Sequence, residues 1–202
     1  MRIKKFFKTI VVPAILAASV TVSCCALSAC ADSDNENDAQ QLIQTSADEL
    51  KMFMADARSG RNFTTVSIYS DGSTWVYYAD DDKIKTDYKG TTTYGLIENK
   101  HIYRIYRTDD LQWHRTDDAG DLRDPEAQLT ILYNKLIFMP WNEYDNEAKA
   151  LVCALDDGRA TAKLESEKLT VDIVLDTGVT TTFIVKDIGT TTVSIPDDIA
   201  ND

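Results

Sequence analysis

Cysteine is the one residue type in this sequence whose placement suggests covalent chemistry. There are four: Cys24, Cys25, Cys30 and Cys153. The only two histidines, His101 and His114, have no partner at the short or helical spacing that zinc sites use, so no metal site is expected. Neither a Gly-x-Ser-x-Gly elbow nor a glycine-rich phosphate loop occurs, and no histidine lies near Cys153 in the sequence. The 33 carboxylates are too numerous for any pair of them to single out a hydrolase. Asp32, Asp34, Glu36 and Asp38 alternate as in a calcium loop. That run lacks the turn glycine, and Ile43 stands at its twelfth position. These residues therefore predict no catalytic group and no cofactor.

Cys30 is set apart by its surroundings. Arg2, Lys4, Lys5 and Lys8 are followed by an apolar stretch from about Ile10 to Ala26, with no further charge until Asp32. A basic start, an apolar run and small residues are the pattern of a secretory signal. It ends in Leu27-Ser28-Ala29-Cys30, which resembles the bacterial lipobox. Cys24 follows Thr21-Val22-Ser23, which lacks the aliphatic residue at the matching position, and Cys25 follows another cysteine. The resemblance implies that the Cys30 thiol takes a diacylglyceryl group. It also implies that a peptidase recognising Leu27, Ser28 and Ala29 removes residues 1–29. One acyl chain holds a protein only marginally, whereas two anchor it stably. The expected location is the extracytoplasmic face of a cell membrane or outer membrane. Residues 30–39 are read as the lipidated cysteine and an acidic, disordered tether.

Loss of residues 1–29 removes four basic side chains and no acidic ones, which moves the net charge from −12 to −16. Such a domain repels phosphate backbones, so nucleic acid is not an expected partner. Anionic headgroups repel it too, so it should stand off the membrane that anchors it. Only Cys153 would then remain, which leaves no intramolecular disulfide. Its apolar neighbours, from Ala150 to Leu155, mark it as a small buried hydrophobe.

Residues 40–202 are long enough for one domain with a sizeable core. Leu42, Ile43, Ala47, Leu50, Met54 and Ala57 recur at helical spacing, predicting a helix over 38–57 with Asp38 as its cap. After Gly60 the period changes to two, predicting strands at 62–69, 74–79, 83–88, 91–97, 101–107 and 111–116. Asp71-Gly72 marks the clearest hairpin. Asp124-Pro125-Glu126 announces a second helix. Strands are predicted again at 149–155, 159–165, 169–175, 179–186 and 190–195. The implied class is α+β. It comprises a strongly curved antiparallel sheet of about 11 strands, an N-terminal helix, and a helical insertion between two meanders.

That order of elements resembles the LolA/LppX-type unclosed β-barrel carriers. The matching residues are Asn62-Phe63-Thr64, Gln112-Trp113-His114-Arg115 and Thr192-Val193-Ser194-Ile195-Pro196, within residues 40–196. The resemblance implies a lipid or lipoprotein carrier, or a relative that keeps the fold as a sensor or protein-binding surface. Aromatic residues on both faces of several strands suggest a sheet with a core on one side and a cavity on the other. The candidate lining is Trp75, Tyr77, Tyr103, Ile105, Trp113 and Phe183, and the same rings would also suit an ordinary core. The leading expectation is a tethered binding protein for a lipid-like ligand. The alternative is an envelope interaction protein with a filled core, binding a protein or cell-wall partner.

Replacing Cys30 with serine removes the acyl acceptor. Cys30→Ser is expected to abolish incorporation of labelled palmitate and to leave a precursor 29 residues longer, read by mass spectrometry. Normal labelling of that variant would overturn the assignment of Cys30.

Overall fold

The computed structural model describes residues 33–109 and 111–201. Leu27, Ser28, Ala29 and Cys30 lie outside the described residues. Helix α1 (Ser33–Gly60) leads into a first meander. Its strands are β1 (Asn62–Tyr69), β2 (Thr74–Asp80), β3 (Lys83–Tyr88), β4 (Thr91–Glu98), β5 (His101–Arg107) and β6 (Trp113–Thr116). After helix α2 (Pro125–Phe138) come β7 (Glu143–Asp145), β8 (Ala150–Leu155), β9 (Gly158–Glu165), β10 (Lys168–Leu175), β11 (Thr180–Lys186) and β12 (Ile199–Asn201).

All twelve strands belong to one curved sheet in the order β12-β6-β5-β4-β3-β2-β1-β11-β10-β9-β8-β7. The ends of that order, β12 and β7, are not neighbours, so the barrel is unclosed. Every pairing is antiparallel except that of β12 with β6. The expected α+β class and unclosed antiparallel sheet are what the chain forms.

Turn chemistry sets the register of the hairpins. In the β1–β2 turn Gly72 takes φ +77°, while the Asp71 carboxylate accepts from the Ser73 N–H at 2.8 Å. At the β8–β9 turn a Cβ on residue 158 would stand 2.2 Å from the Val174 carbonyl oxygen, so only glycine fits there. Carboxylates elsewhere do similar local work: Asp118 accepts from Gly120 N, and Asp145 from the N–H groups of Glu147 and Ala148.

Alternation along the strands divides the sheet into two faces. The inner face carries Phe63, Tyr77, Ala79, Ile84, Leu169, Val171 and Val185, all buried against Leu50, Met54 and Ala57 of α1 and Leu129 and Leu136 of α2. Helix α2 starts as its sequence predicts, with the Asp124 side chain accepting from Glu126 N and proline at the first turn. An ion pair of 2.9 Å between Arg61 and Asp124 fixes that start against the end of α1.

Three expectations need correction. Helix α1 begins at Ser33, so residues 33–39 are helical where a disordered tether was expected. Glu36 and Asp38 favour this, because carboxylates in the first turns oppose the positive end of the helix dipole. Leu111 lies outside β6, exposed and with φ +66°. The predicted strand at 190–195 makes no ladder. Instead it is an extended strap, and the last strand is the three-residue β12.

The strap follows from where the sheet puts its ends. Six strands separate β11 from β12, so residues 187–198 must span about 34 Å at about 4.8 Å per strand spacing. Twelve extended residues reach roughly 40 Å, leaving little slack. Hydrogen bonds to the outer face hold its first half. The Asn62 amide accepts from Thr191 N at 2.8 Å and donates to Thr191 O at 2.8 Å and Asp80 Oδ1 at 3.3 Å. Asp80 Oδ2 accepts from Val193 N at 2.9 Å, and the Thr64 and Thr191 hydroxyls meet at 2.9 Å. Thr191 and Val193 are buried, while Thr192 and Ser194 point to solvent.

Asn62→Ala leaves both backbone groups of Thr191 without their partner. Urea unfolding is expected to show a loss of about 1–3 kcal/mol. Amide exchange should accelerate at Thr191 and Val193 ahead of β1 and β2. Unchanged stability and exchange would show that the strap is held by packing alone.

Candidate binding surfaces

The sheet register divides the six expected lining residues between two faces. Trp75, Tyr77 and Phe183 lie on the inner face, whereas Tyr103, Ile105 and Trp113 lie on the outer one. They cannot line a single cavity. The reason is the period of two: the pattern shows which residues share a face within a strand, and only the pairing between strands shows which faces match.

On the inner face, Tyr77 is wholly buried. Its ring stacks on Phe63 with centroids 6.0 Å apart, and its hydroxyl donates to Arg123 O at 2.7 Å. Burial holds the phenol well above its usual range, and the Asp124 charge adds to the effect. Trp75 and Phe183 flank the small Ser67 in register and stay half-buried at the rim of the core. Tyr88 and Tyr106 continue the half-buried inner band toward β6. Leu122, in the loop before α2, covers Gly95 at 3.1 Å from where a Cβ would be.

Under the two helices the concave side is therefore packed, while toward β6 it is half-buried. The pocket between α1 and the β7–β9 end is about 50 Å3, bordered by Leu50, Tyr144, Leu151 and Leu164. That is on the scale of one or two waters. A broader open depression of about 680 Å3 runs along the solvent side of α2, between Arg123, Glu126, Thr130 and Ile131. It is open to solvent and so encloses no ligand-sized volume.

The outer face of β4–β6 carries a second aromatic group. Tyr94 meets Trp113 edge-on with centroids 5.3 Å apart, and His101 meets Tyr103 at 4.7 Å. The Arg107 guanidinium stands 5.8 Å from the Trp113 ring centre and that of Arg115 4.0 Å from Tyr103. Arg115 also bonds Glu98 at 2.5 Å. Ile105, between Tyr94 and Arg115 in register, is fully buried. Arg104 lies on the inner face over Tyr106 and 3.9 Å from Asp118, while Arg107 donates to Leu111 O.

Cys153 is buried on the inner face, and burial pushes its thiol up. His101 is exposed beside the Asp117 carbonyl, whereas His114 is half-buried on the inner face rather than at the surface. No grouping of three metal-ligating side chains occurs among the described residues. Among those residues, no helix is long and apolar enough to cross a membrane. Sequence reading missed β7 and the pairing of β12. Each has three residues, too few for periodicity to register.

The buried Tyr77 gives a pH test. Its pKa is raised in the fold, so this contribution is complete below the unfolded value of about 10 and is lost as pH climbs above it. Stability is expected to fall between pH 10 and 11.5, and to fall less steeply in Tyr77→Phe, monitored by chemical denaturation. At pH 7 the same variant should lose about 1–3 kcal/mol, because Arg123 O loses its donor. An identical alkaline slope in both proteins would refute the assignment to Tyr77. A scan against protein-family models finds no match to this chain, and a search of curated proteins finds none either.

Proposed function

We propose that the chain is a membrane-anchored extracytoplasmic lipoprotein that binds a protein or cell-wall partner through the surface of a filled β domain, without catalysis. The anchor would be Cys30, on the strength of Leu27-Ser28-Ala29-Cys30 behind a basic and apolar leader. The observation that carries the surface-binding reading is the filled concavity. With α1 and α2 against the inner face, the inner pocket of about 50 Å3 is far below the roughly 300–1,000 Å3 of small-molecule sites. An acyl chain would have to displace buried helix side chains such as Leu50 or Leu129 to enter.

A second reading keeps the LolA/LppX-type likeness: a carrier or sensor of a lipid-like ligand. What favours it is the half-buried inner band of Trp75, Tyr88 and Phe183, which a parting of the helices would extend into a trough.

Two measurements on the same anchored protein separate the readings. Crosslinking in intact cells followed by purification is expected to recover one stoichiometric envelope partner. Organic extraction of the purified chain followed by mass spectrometry is expected to find no acyl ligand beyond the anchor itself. A copurifying lipid with no crosslinked partner would reverse the order of the two readings.

A further inference from the structure

We propose that the edge of β6 is a strand-accepting site. In the isolated chain its own β12 fills it, and an extended, acidic-led segment of a partner protein takes it in trans. Four observations carry this. First, β6 would otherwise end the sheet with unpaired N–H and C=O groups, the usual template for strand addition. Second, its occupant is slight: β12 has three residues and makes the sheet's one parallel pairing, Ile199 to Trp113, Ala200 to His114 and Asn201 to Arg115. Parallel ladders are slightly weaker per residue than antiparallel ones.

Third, the strap is held upstream, at Thr191 and Val193, by Asn62, Thr64 and Asp80. Release of β12 therefore leaves those bonds and the core untouched. Fourth, the edge carries arginines and its occupant is led by carboxylates. Strands β5 and β6 carry Arg104, Arg107 and Arg115; Arg115 pairs with Glu98 of β4, and Arg104 lies 3.9 Å from Asp118 on the inner face. The strand that occupies this edge is preceded by Asp197 and Asp198, both exposed, and it enters beside Trp113, whose other neighbour is Arg107. The occupant thus shows the chemistry the edge accepts: a short extended segment led by carboxylates. Backbone pairing would supply affinity, and the arginines would set direction and preference.

The inference rests on the surface-binding reading above. Failure of the test below would remove the edge site alone, whereas an acyl ligand in the extract would remove that reading.

The probe is a fluorescent peptide of residues 195–202, followed by anisotropy. A chain ending at Ile195 is expected to bind it, and the intact chain to bind at least about tenfold more weakly, because a tethered strand competes at millimolar effective concentration. Ala200→Pro in the intact chain removes an N–H from the middle of β12 and should recover binding without truncation. A peptide carrying Asp197→Asn and Asp198→Asn should bind several-fold more weakly. Circular dichroism establishes that both opened chains fold. Absence of binding to folded, opened chains overturns the proposal, and so does equal binding to the intact chain. A full chain that elutes as a dimer, and becomes a monomer on Ala200→Pro, would replace the partner with a second copy and overturn it likewise.

Discussion

A sheet that curves without closing has one concavity to fill and two edges to cover, and most of this molecule answers those demands. The concavity is filled by helices because a strand laid there would leave its backbone groups unpaired, whereas a helix satisfies its own. That requirement explains the spacing of Ala47, Leu50, Met54 and Ala57, which put one stripe of α1 against Phe63, Tyr77 and Leu169. It also explains the insertion of α2 between the meanders. The chain has to leave β6 at one edge and return at β7 on the other, and α2 carries it across the concave side. Arg61 and Asp124 join the end of one helix to the start of the other, just where the first strand begins.

The edges are handled by short strands of opposite character. Glu143, Tyr144 and Asp145 form β7 over the first half of β8, a brief acidic border. At the other edge the strands carry arginines, two of them beside carboxylates, and the chain travels back over six strands to cover them with β12. Left bare, two unpaired edges on the same molecule would invite edge-to-edge association. A slight covering strand prevents that and still leaves room for exchange with a better-matched segment.

What the sequence makes legible follows the range of the forces involved. Hairpin strands and the capped start of α2 depend on neighbours a few residues away, so Asp71-Gly72 and Asp124-Pro125 announce them. The extent of α1 was missed at its start, because residues 33–37 carry no apolar side chain to read as a stripe. Thr190–Ile195 has the alternation of a strand, and its alternate residues are indeed buried. The side chains it covers belong to β1 and β2, and its backbone bonds go to Asn62 and Asp80 more than a hundred residues earlier. A period of two reports a half-buried extended chain and is silent on whether the chain is paired.

The candidate site was less legible than the fold for the same reason. Trp75 and Trp113 stand in strands of similar composition, yet one rims the core and the other lies on the opposite face under Arg107. Nothing local distinguishes them, since the face of a residue is fixed by register relative to strands read out tens of residues away. Arginine beside aromatic rings in β5 and β6 was visible as composition, but its meaning depends on β12 lying alongside. Where carboxylates crowd the turns, they cap local N–H groups; the arginines of β5 and β6 border the edge that the chain crosses six strands to reach. Under the strand-accepting proposal, backbone pairing and charge would act there on the same segment.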